Sequence, residues 1–233
     1  MLASATAVVT AFFYSLRHQT GLHITANECC RYWSKSINLA LCYRGFASNS
    51  KISSAFQAGR AAFYCCAYDV VTDWRAFDEA SFNWFKTLLN HDLPSHVAEI
   101  AFKLYEQDKS GKLQNDGLSR GIIALELVTR LIGSYEFIQS RFDFKRLGII
   151  MQIVDDVLDY ENDRLGGELN CLITSSTYQR NEYIRELLNF DLEKFRQVFP
   201  YGTVLYQVIR YSKGKVKSMF HYDCTTPPMQ LAN

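Results

Sequence analysis

The distribution of proline limits what this chain can fold into. The sequence has 233 residues and only 4 prolines, and none of them lies between Pro94 and Pro200. Proline lacks a backbone donor and interrupts helices, so this long stretch permits uninterrupted helices. Alternating strand patterns flanked by Asn-Gly or Asp-Gly turns are missing, apart from Asp116-Gly117 beside a helical segment. The sequence therefore predicts an all-α protein.

The helices that we predict cover most of the chain. They span residues 3–17, 26–43, 53–74, 78–90, 94–108, 118–140, 144–161, 179–198 and 204–220. No repeat, low-complexity tract or linker separates them. We therefore expect one helical domain over residues 1–224 and an irregular tail over 225–233, which contains Pro227 and Pro228.

Composition narrows the classes of protein to consider. Hydrophobic residues make up 48% of the chain, enough to fill the core of one domain. The net charge of +1 gives no reason to expect a nucleic-acid partner. The 7 cysteines form no CxxC pair, which is typical of buried thiols in a reducing compartment rather than of disulfides or a zinc site. We therefore expect a cytoplasmic protein.

The first segment, 1–16, is apolar and has no basic residues before its apolar part. This pattern favours a core helix over a signal peptide. No apolar run approaches the ~20 residues that cross a bilayer. We therefore expect no transmembrane segment, while peripheral contact with a membrane stays open.

Acidic residues are concentrated in the stretch 152–163. One stripe of a helix over this stretch would contain Gln152, Asp155, Asp156, Asp159 and Asp163. From Leu147 to Asp163 there is no Lys or Arg to balance these charges. Like charges one turn apart destabilise a helix, so we expect a compensating partner outside it. Mg²⁺ takes oxygen ligands and would compensate these negative charges. The alternative interpretation is an amphipathic helix whose acidic side chains face water.

A second pair of acids, Asp69 and Asp73, also lies one helical turn apart. It follows an apolar and aromatic run, 63–68, that is typical of a buried helix. Two such helices facing each other would hold several metal ions and a diphosphate.

This arrangement resembles the class I all-α isoprenoid synthases, and among them the squalene/phytoene synthase-like branch. Those enzymes carry one Asp-x-x-x-Asp motif on each of two facing helices, which Asp69/Asp73 and Asp159/Asp163 match. The resemblance is confined to residues 63–73 and 131–172, where Leu147-Gly148, Gln152, Asp159, Asp163 and Gly167 follow the order of the family motif.

One departure from that branch bears on the activity. Residues 155–159 also resemble the DDxxD motif of chain-elongating prenyl diphosphate synthases. They stand where squalene and phytoene synthases have a neutral Asn and a basic residue. This departure favours a terpene synthase that derives from the branch over a head-to-head coupling enzyme.

The resemblance implies a single-domain helical bundle with a central active-site cavity. It implies a terpene synthase (cyclase) that ionises farnesyl or geranylgeranyl diphosphate with several Mg²⁺ ions, for which Mn²⁺ can substitute, and cyclises the carbocation. The implied metal ligands are Asp69, Asp73, Asp155, Asp156, Asp159 and Asp163, and all except Asp156 are also expected to be catalytic. Implied diphosphate ligands are Arg130, Arg210, Tyr211 and Lys217, and implied cavity-lining residues are Phe63, Tyr64 and Gln152.

Some interpretations stay open at this point. Arg120-Gly121 and Gly133 resemble places where helices of the family break. The loop from Gly166 to Asn170 could close over an ion, or Gly could simply end the preceding helix. The alternatives to a cyclase are a prenyl-coupling synthase, of the phytoene/squalene or chain-elongating type, and a non-catalytic subunit with the same fold. A homodimer is compatible with each.

Overall fold

The computed structural model describes residues 26–46, 52–69, 71–72, 79–110, 117–167, 170–200 and 202–220. Every regular element within these ranges is helical, which confirms the all-α prediction for the described part of the chain. The predicted helix 3–17, the tail 225–233 and Asp73 lie outside the described residues.

The described helices follow one another through short connections. They are α1 (Ala26–Arg44), α2 (Ile52–Asp69), α3 (Glu79–Asp92), α4 (Ser95–Lys109), α5 (Gly117–Leu131), α6 (Tyr135–Gln139), α7 (Phe144–Gly166), α8 (Cys171–Thr174), α9 (Thr177–Leu188), α10 (Leu192–Val198) and α11 (Thr203–Phe220). None of the described helices is long and apolar enough to cross a membrane.

Helix α7 is the element around which its neighbours pack. Helices α5, α8, α9 and α11 all contact it, and α5 also contacts α2 and α4. Its first turn is capped by Asp143, whose side chain accepts a hydrogen bond from the backbone N–H of Arg146. It ends at Gly167, which adopts the left-handed conformation with φ 70° and donates its N–H to the carbonyl of Asp163. Both ends of the acid-bearing helix are therefore defined by local sequence.

In the described part of the chain, the buried apolar residues form two main clusters. The larger one surrounds the apolar face of α7, with Ile150, Ile153 and Val157 fully buried. The second cluster joins α2 to α3, α4 and α5 and includes Phe85 and Tyr105. Burial of such side chains contributes ~1.5–3 kcal/mol each relative to exposure, so these clusters fix where the helices lie.

Two glycines allow α5 and α7 to cross at close range. A Cβ at Gly148 would lie 2.6 Å from the Cα of Ile122, and one at Gly121 would lie 2.4 Å from the carbonyl oxygen of Gly148. These distances leave no room for a side chain. The expectation of a helix break at Arg120-Gly121 is therefore wrong, because α5 is continuous there and Gly121 permits the crossing.

Two long predicted helices are each divided in the structure. The predicted helix 118–140 is interrupted at Gly133, which has φ 70°, before α6 begins. The predicted helix 179–198 is interrupted before α10, where the Asp191 side chain caps the new helix by accepting from the N–H of Lys194. In both cases a residue suited to a turn or a cap sits within an apolar pattern that continues across it.

Candidate acid-lined active site

The acids of α7 do not share one environment. Asp155 and Asp159 are exposed, whereas Asp156 is only 5% exposed and Gln152 only 8%. The predicted stripe is therefore split between a side that faces solvent and a side that packs against the rest of the protein.

Asp156 holds the chain that follows α7. Its Oδ1 accepts a hydrogen bond from Nε2 of Gln152 at 2.8 Å, and its Oδ2 accepts from the backbone N–H of Cys171 at 2.8 Å. Burial is the largest influence on this carboxyl and raises its pKa, while the hydrogen bonds lower it in part. Asp156 therefore has a structural role, and Gln152 is one of its donors; a metal-binding role for Asp156 and a cavity-lining role for Gln152 stay predictions.

Asp163 and the loop after α7 are tied together by Asn170. The Nδ2 of this buried side chain donates to Oδ2 of Asp163 at 2.7 Å and to the carbonyl oxygen of Asp156 at 2.7 Å. Its Oδ1 accepts from the N–H of Leu172 and caps α8. Together with the left-handed Gly167, these contacts match the interpretation in which glycine ends the helix.

Asp69 lies at the end of α2 and is paired with a residue from α1. Its Oδ2 is 2.6 Å from Nζ of Lys35, and the two side chains are 18% and 49% exposed. Lys35 was not among the residues singled out from the sequence. Its neighbours in sequence are serines, and its partner is on another helix, so no spacing pattern marks it.

Arg120 connects the acids of α2 with those of α7. Its Nε lies 3.5 Å from Oδ2 of Asp108 on α4, and the hydroxyl of Tyr68 donates to the same carboxylate oxygen. Burial lowers the pKa of Arg120, but the negative charges of Asp108, Asp155 and Asp69 outweigh it and raise the pKa overall. One guanidinium therefore lies in the field of carboxylates from three helices.

Asp155 is exposed on α7, and charged groups of other helices act on its carboxylate. Its side chain is exposed to solvent, yet surrounding protein raises the pKa of its carboxyl to about 7. The positive charge of Arg120 lowers this pKa in part, and the negative charges of Asp156, Asp159 and Asp69 raise it. The side chain of Asp155 is accessible to water and is also surrounded by protein atoms. This combination is expected for a side chain on a concave surface.

Asp159 lies further along the same helix. Burial and the neighbouring Asp163 raise the pKa of its carboxyl, and the charges of Lys35 and Lys215 lower it in part. Lys215 extends from α11 and donates to the carbonyl oxygen of Leu158 at 3.1 Å. Charged side chains of α1, α2, α5, α7 and α11 therefore influence one another, and the surface between them is the candidate site, which we call the cleft.

Within the described residues, no three His, Cys, Asp or Glu side chains are grouped closely enough to hold a metal ion by themselves. The donor set is nevertheless suited to Mg²⁺, which is commonly bound by one or two carboxylates and completes its octahedron with water and phosphate oxygens. Asp69, Asp155, Asp159 and Asp163 could each contribute such a carboxylate.

The predicted diphosphate ligands lie on different helices and are farther apart than the acids of the cleft. Arg130 bonds to Glu126 at 2.9 Å and its guanidinium lies 3.8 Å from the ring centroid of Tyr135. Arg130 is ten residues after Arg120 on α5, which corresponds to ~15 Å along the helix axis. The structure does not bring Arg130 to the acids.

The other three predicted ligands lie on the outer surface of α11. Arg210 and Lys217 are exposed, and Tyr211 is 61% exposed. Tyr211 lines a shallow apolar groove with Leu158, Thr203, Val204, Gln207 and Val208. Lys215 of the same helix donates to the carbonyl oxygen of Leu158 on α7.

Phe63 and Tyr64 are core residues. Each is 1% exposed, and their rings pack edge to face with centroids 5.5 Å apart. The hydroxyl of Tyr64 donates to Oδ2 of Asp92 at 2.9 Å, which fastens α2 to the end of α3. Neither side chain reaches solvent, so we no longer assign them to the lining of a cavity.

The cleft combines two properties that a phosphate-bearing ligand requires. Carboxylates from α2 and α7 can bind divalent cations, and Arg120, Lys35 and Lys215 supply positive charge beside them. Asp108 and Lys35 were found only from the structure, since each depends on a contact between helices that are distant in sequence. No family model, curated protein or solved structure matches the chain.

Proposed function

We propose that this protein is a Mg²⁺-dependent class I terpene synthase, a single-domain bundle that ionises farnesyl or geranylgeranyl diphosphate in a central cavity and cyclises the product cation. The observation that carries the proposal is that Asp69 at the end of α2 and Asp155 on α7 act on the same guanidinium, that of Arg120. Acids on two different helices influence one cation, which supports a site in which both helices contribute carboxylates, as diphosphate chemistry of this class requires.

The proposed roles follow from where each side chain lies. Asp69 would hold metal from the α2 side, and Asp155, Asp159 and Asp163 from the α7 side. When bound, Mg²⁺ would neutralise the diphosphate as its bond to the allylic carbon breaks and negative charge grows on the leaving oxygen. Arg120 lies between the two walls and would donate hydrogen bonds to the departing diphosphate.

The helices around the cleft would guide the hydrocarbon part of the reaction. Departure of the diphosphate leaves an allylic cation, which water would quench if it entered. Apolar walls would exclude water and fold the chain so that an internal double bond attacks the cation. Loss of a proton to the diphosphate, or capture by one water, would then give a terpene hydrocarbon or alcohol.

The direct test is product analysis. Purified protein is incubated with Mg²⁺ and, separately, with geranyl, farnesyl and geranylgeranyl diphosphates, and the organic extract is analysed by gas chromatography with mass detection. We expect a cyclic terpene from one of the longer substrates. A longer or doubled prenyl product would instead identify a coupling synthase, and the absence of any product would favour a non-catalytic subunit.

The second test examines the acids themselves. We expect Asp159→Asn and Asp69→Asn to lower turnover by ~100-fold or more while thermal unfolding stays cooperative, because each removes a charge that would hold metal against the diphosphate. Glu193→Gln is the matched control, since Glu193 is an exposed acid that pairs with Arg196 on α10. Turnover near the wild-type rate in both aspartate variants would refute the proposed site.

A further inference from the structure

Lys35 lies where a metal ion would be expected to bind. Its ammonium is 2.6 Å from Oδ2 of Asp69, and its charge also acts on Asp159 across the cleft. A single cation from α1 therefore interacts with the acids of both α2 and α7. In the metal-free protein it compensates part of the negative charge that Mg²⁺ would otherwise neutralise.

Lys35 and Arg120 differ in exposure and in the carboxylates that they contact. The guanidinium of Arg120 contacts Asp108, which lies outside the proposed metal ligands. Lys35 is bound to Asp69, a proposed ligand, and its side chain is 49% exposed. Lysine also carries its charge on a flexible four-carbon stem, so its ammonium can change partners without moving the helix. A metal ion bound to Asp69 would therefore compete with Lys35 for the same carboxylate.

We propose that Lys35 is an exchangeable counter-ion of Asp69, which Mg²⁺ displaces and which then pairs with the diphosphate, so that metal and diphosphate bind cooperatively. This inference rests on the proposed function, because it assigns Asp69 to metal binding. Before diphosphate arrives, Mg²⁺ must break the pair between Lys35 and Asp69. Once diphosphate is present, the released ammonium has a new anionic partner, and the metal binds more tightly.

The proposal predicts opposite effects of two substitutions on Mg²⁺ binding to the substrate-free protein. Lys35→Met removes the competitor, so the Mg²⁺ concentration at half-saturation should fall about two- to fivefold, the range that a partly exposed ion pair supplies. Lys35→Arg should raise it, because a guanidinium binds a carboxylate through two parallel hydrogen bonds. Lys145→Met is the matched control, since Lys145 is an exposed lysine in the first turn of α7.

The measurement is thermal unfolding across a Mg²⁺ titration, with and without inorganic diphosphate, for the wild type and the three variants. In the wild type, diphosphate should lower the Mg²⁺ half-saturation concentration. In Lys35→Met this lowering should be smaller by the same two- to fivefold factor, since coupling between two ligands is reciprocal. Lys145→Met should match the wild type in both titrations.

The outcomes separate this inference from the proposed function. If the wild type binds Mg²⁺ and the half-saturation concentration is the same in the wild type, Lys35→Met and Lys35→Arg, the displacement of Lys35 by Mg²⁺ is overturned while the proposed function stands. An unchanged effect of diphosphate in Lys35→Met would overturn the cooperative role. If the wild type shows no response to Mg²⁺ with or without diphosphate, the proposed function itself fails. Because the two substitutions act in opposite directions, loss of folding in one variant still leaves a test.

Discussion

At the scale of single residues, neighbouring acids of α7 have different tasks. Asp156 is 5% exposed and accepts hydrogen bonds from Gln152 and from the backbone of Cys171. Asp159, less than one turn away, is exposed and faces the cleft. Both were predicted from the sequence to bind metal, because both are acids on a helix with no basic neighbours. The two acids differ because α8 packs beside Asp156 and supplies it with a backbone donor, that of Cys171.

This difference predicts opposite effects of alanine on stability. Asp156→Ala should lower the free energy of unfolding by ~2–4 kcal/mol, because it leaves two buried donors without an acceptor. Asp159→Ala should leave the metal-free protein equally stable or more stable, since burial and Asp163 disfavour the ionised form. Urea unfolding monitored by circular dichroism would measure both, and equal losses would contradict the structural role of Asp156.

At the scale of elements, the cleft depends on how closely α5 approaches α7. Gly121 and Gly148 lie at the crossing, where a Cβ on either would meet backbone atoms. Arg120 is next to Gly121 in sequence, so this crossing determines how far its guanidinium lies from Asp155. Packing of the two helices and charge placement in the cleft are therefore coupled.

Adding one methyl group at this crossing should be costly. Gly148→Ala would place its Cβ 2.6 Å from the Cα of Ile122, so the helices must separate, and we expect a loss of ~1–3 kcal/mol. Gly214→Ala is the control: that position lies inside α11 and a Cβ there meets nothing within 4 Å.

Alanine favours a helix by up to ~1 kcal/mol over glycine, so Gly214→Ala should stabilise the protein. Thermal and urea unfolding of both variants would provide the comparison. If Gly148→Ala were as stable as the wild type, the close crossing of α5 and α7 would be wrong.

At the scale of the whole molecule, five of the described helices contribute charge to the cleft, and negative charge dominates on the α7 side. The surrounding protein raises the pKa of Asp155 to about 7, and burial also raises the pKa values of Asp156 and Asp159. In the unfolded chain an aspartate titrates near pH ~3.9. Ionisation of these groups therefore opposes folding in the metal-free protein.

The sign of the pH dependence follows from these raised pKa values. Each group contributes most to stability below its unfolded pKa, and the contribution is lost as pH rises through the folded pKa, about 7 for Asp155. In the presence of a chelator, the urea midpoint should therefore fall as the pH rises from about 4 to about 7, and level off above that. Asp155→Asn should flatten this slope, while Glu193→Gln should keep it. A midpoint that rises over this interval would contradict the electrostatics of the cleft.

Mostly local features of the sequence determined the fold class and the helix ends. The interval without proline predicted helices, because a proline interrupts the helical turn in which it lies and none is present to do so there. The start of α7 at Phe144 was correctly predicted, because the Asp143 cap acts within one turn of the backbone. The predicted end at residue 161 was too early, since α7 continues to Gly166 and ends at the left-handed Gly167. The interruption before α10 was missed, because apolar spacing continues through it, and for the same reason the predicted helix 118–140 ran through Gly133, although Gly133 had been named as a position that resembles a helix break.

Only the tertiary structure decided which of the acids face a common cleft. Contacts between helices buried Asp156, removed Phe63 and Tyr64 from the solvent-accessible surface, and paired Lys35 with Asp69. Such pairs join residues far apart in the chain, and no periodicity encodes them. Helical spacing places a side chain on one face of its helix, whereas the packing of the other helices determines whether that face meets water, a donor or a cation.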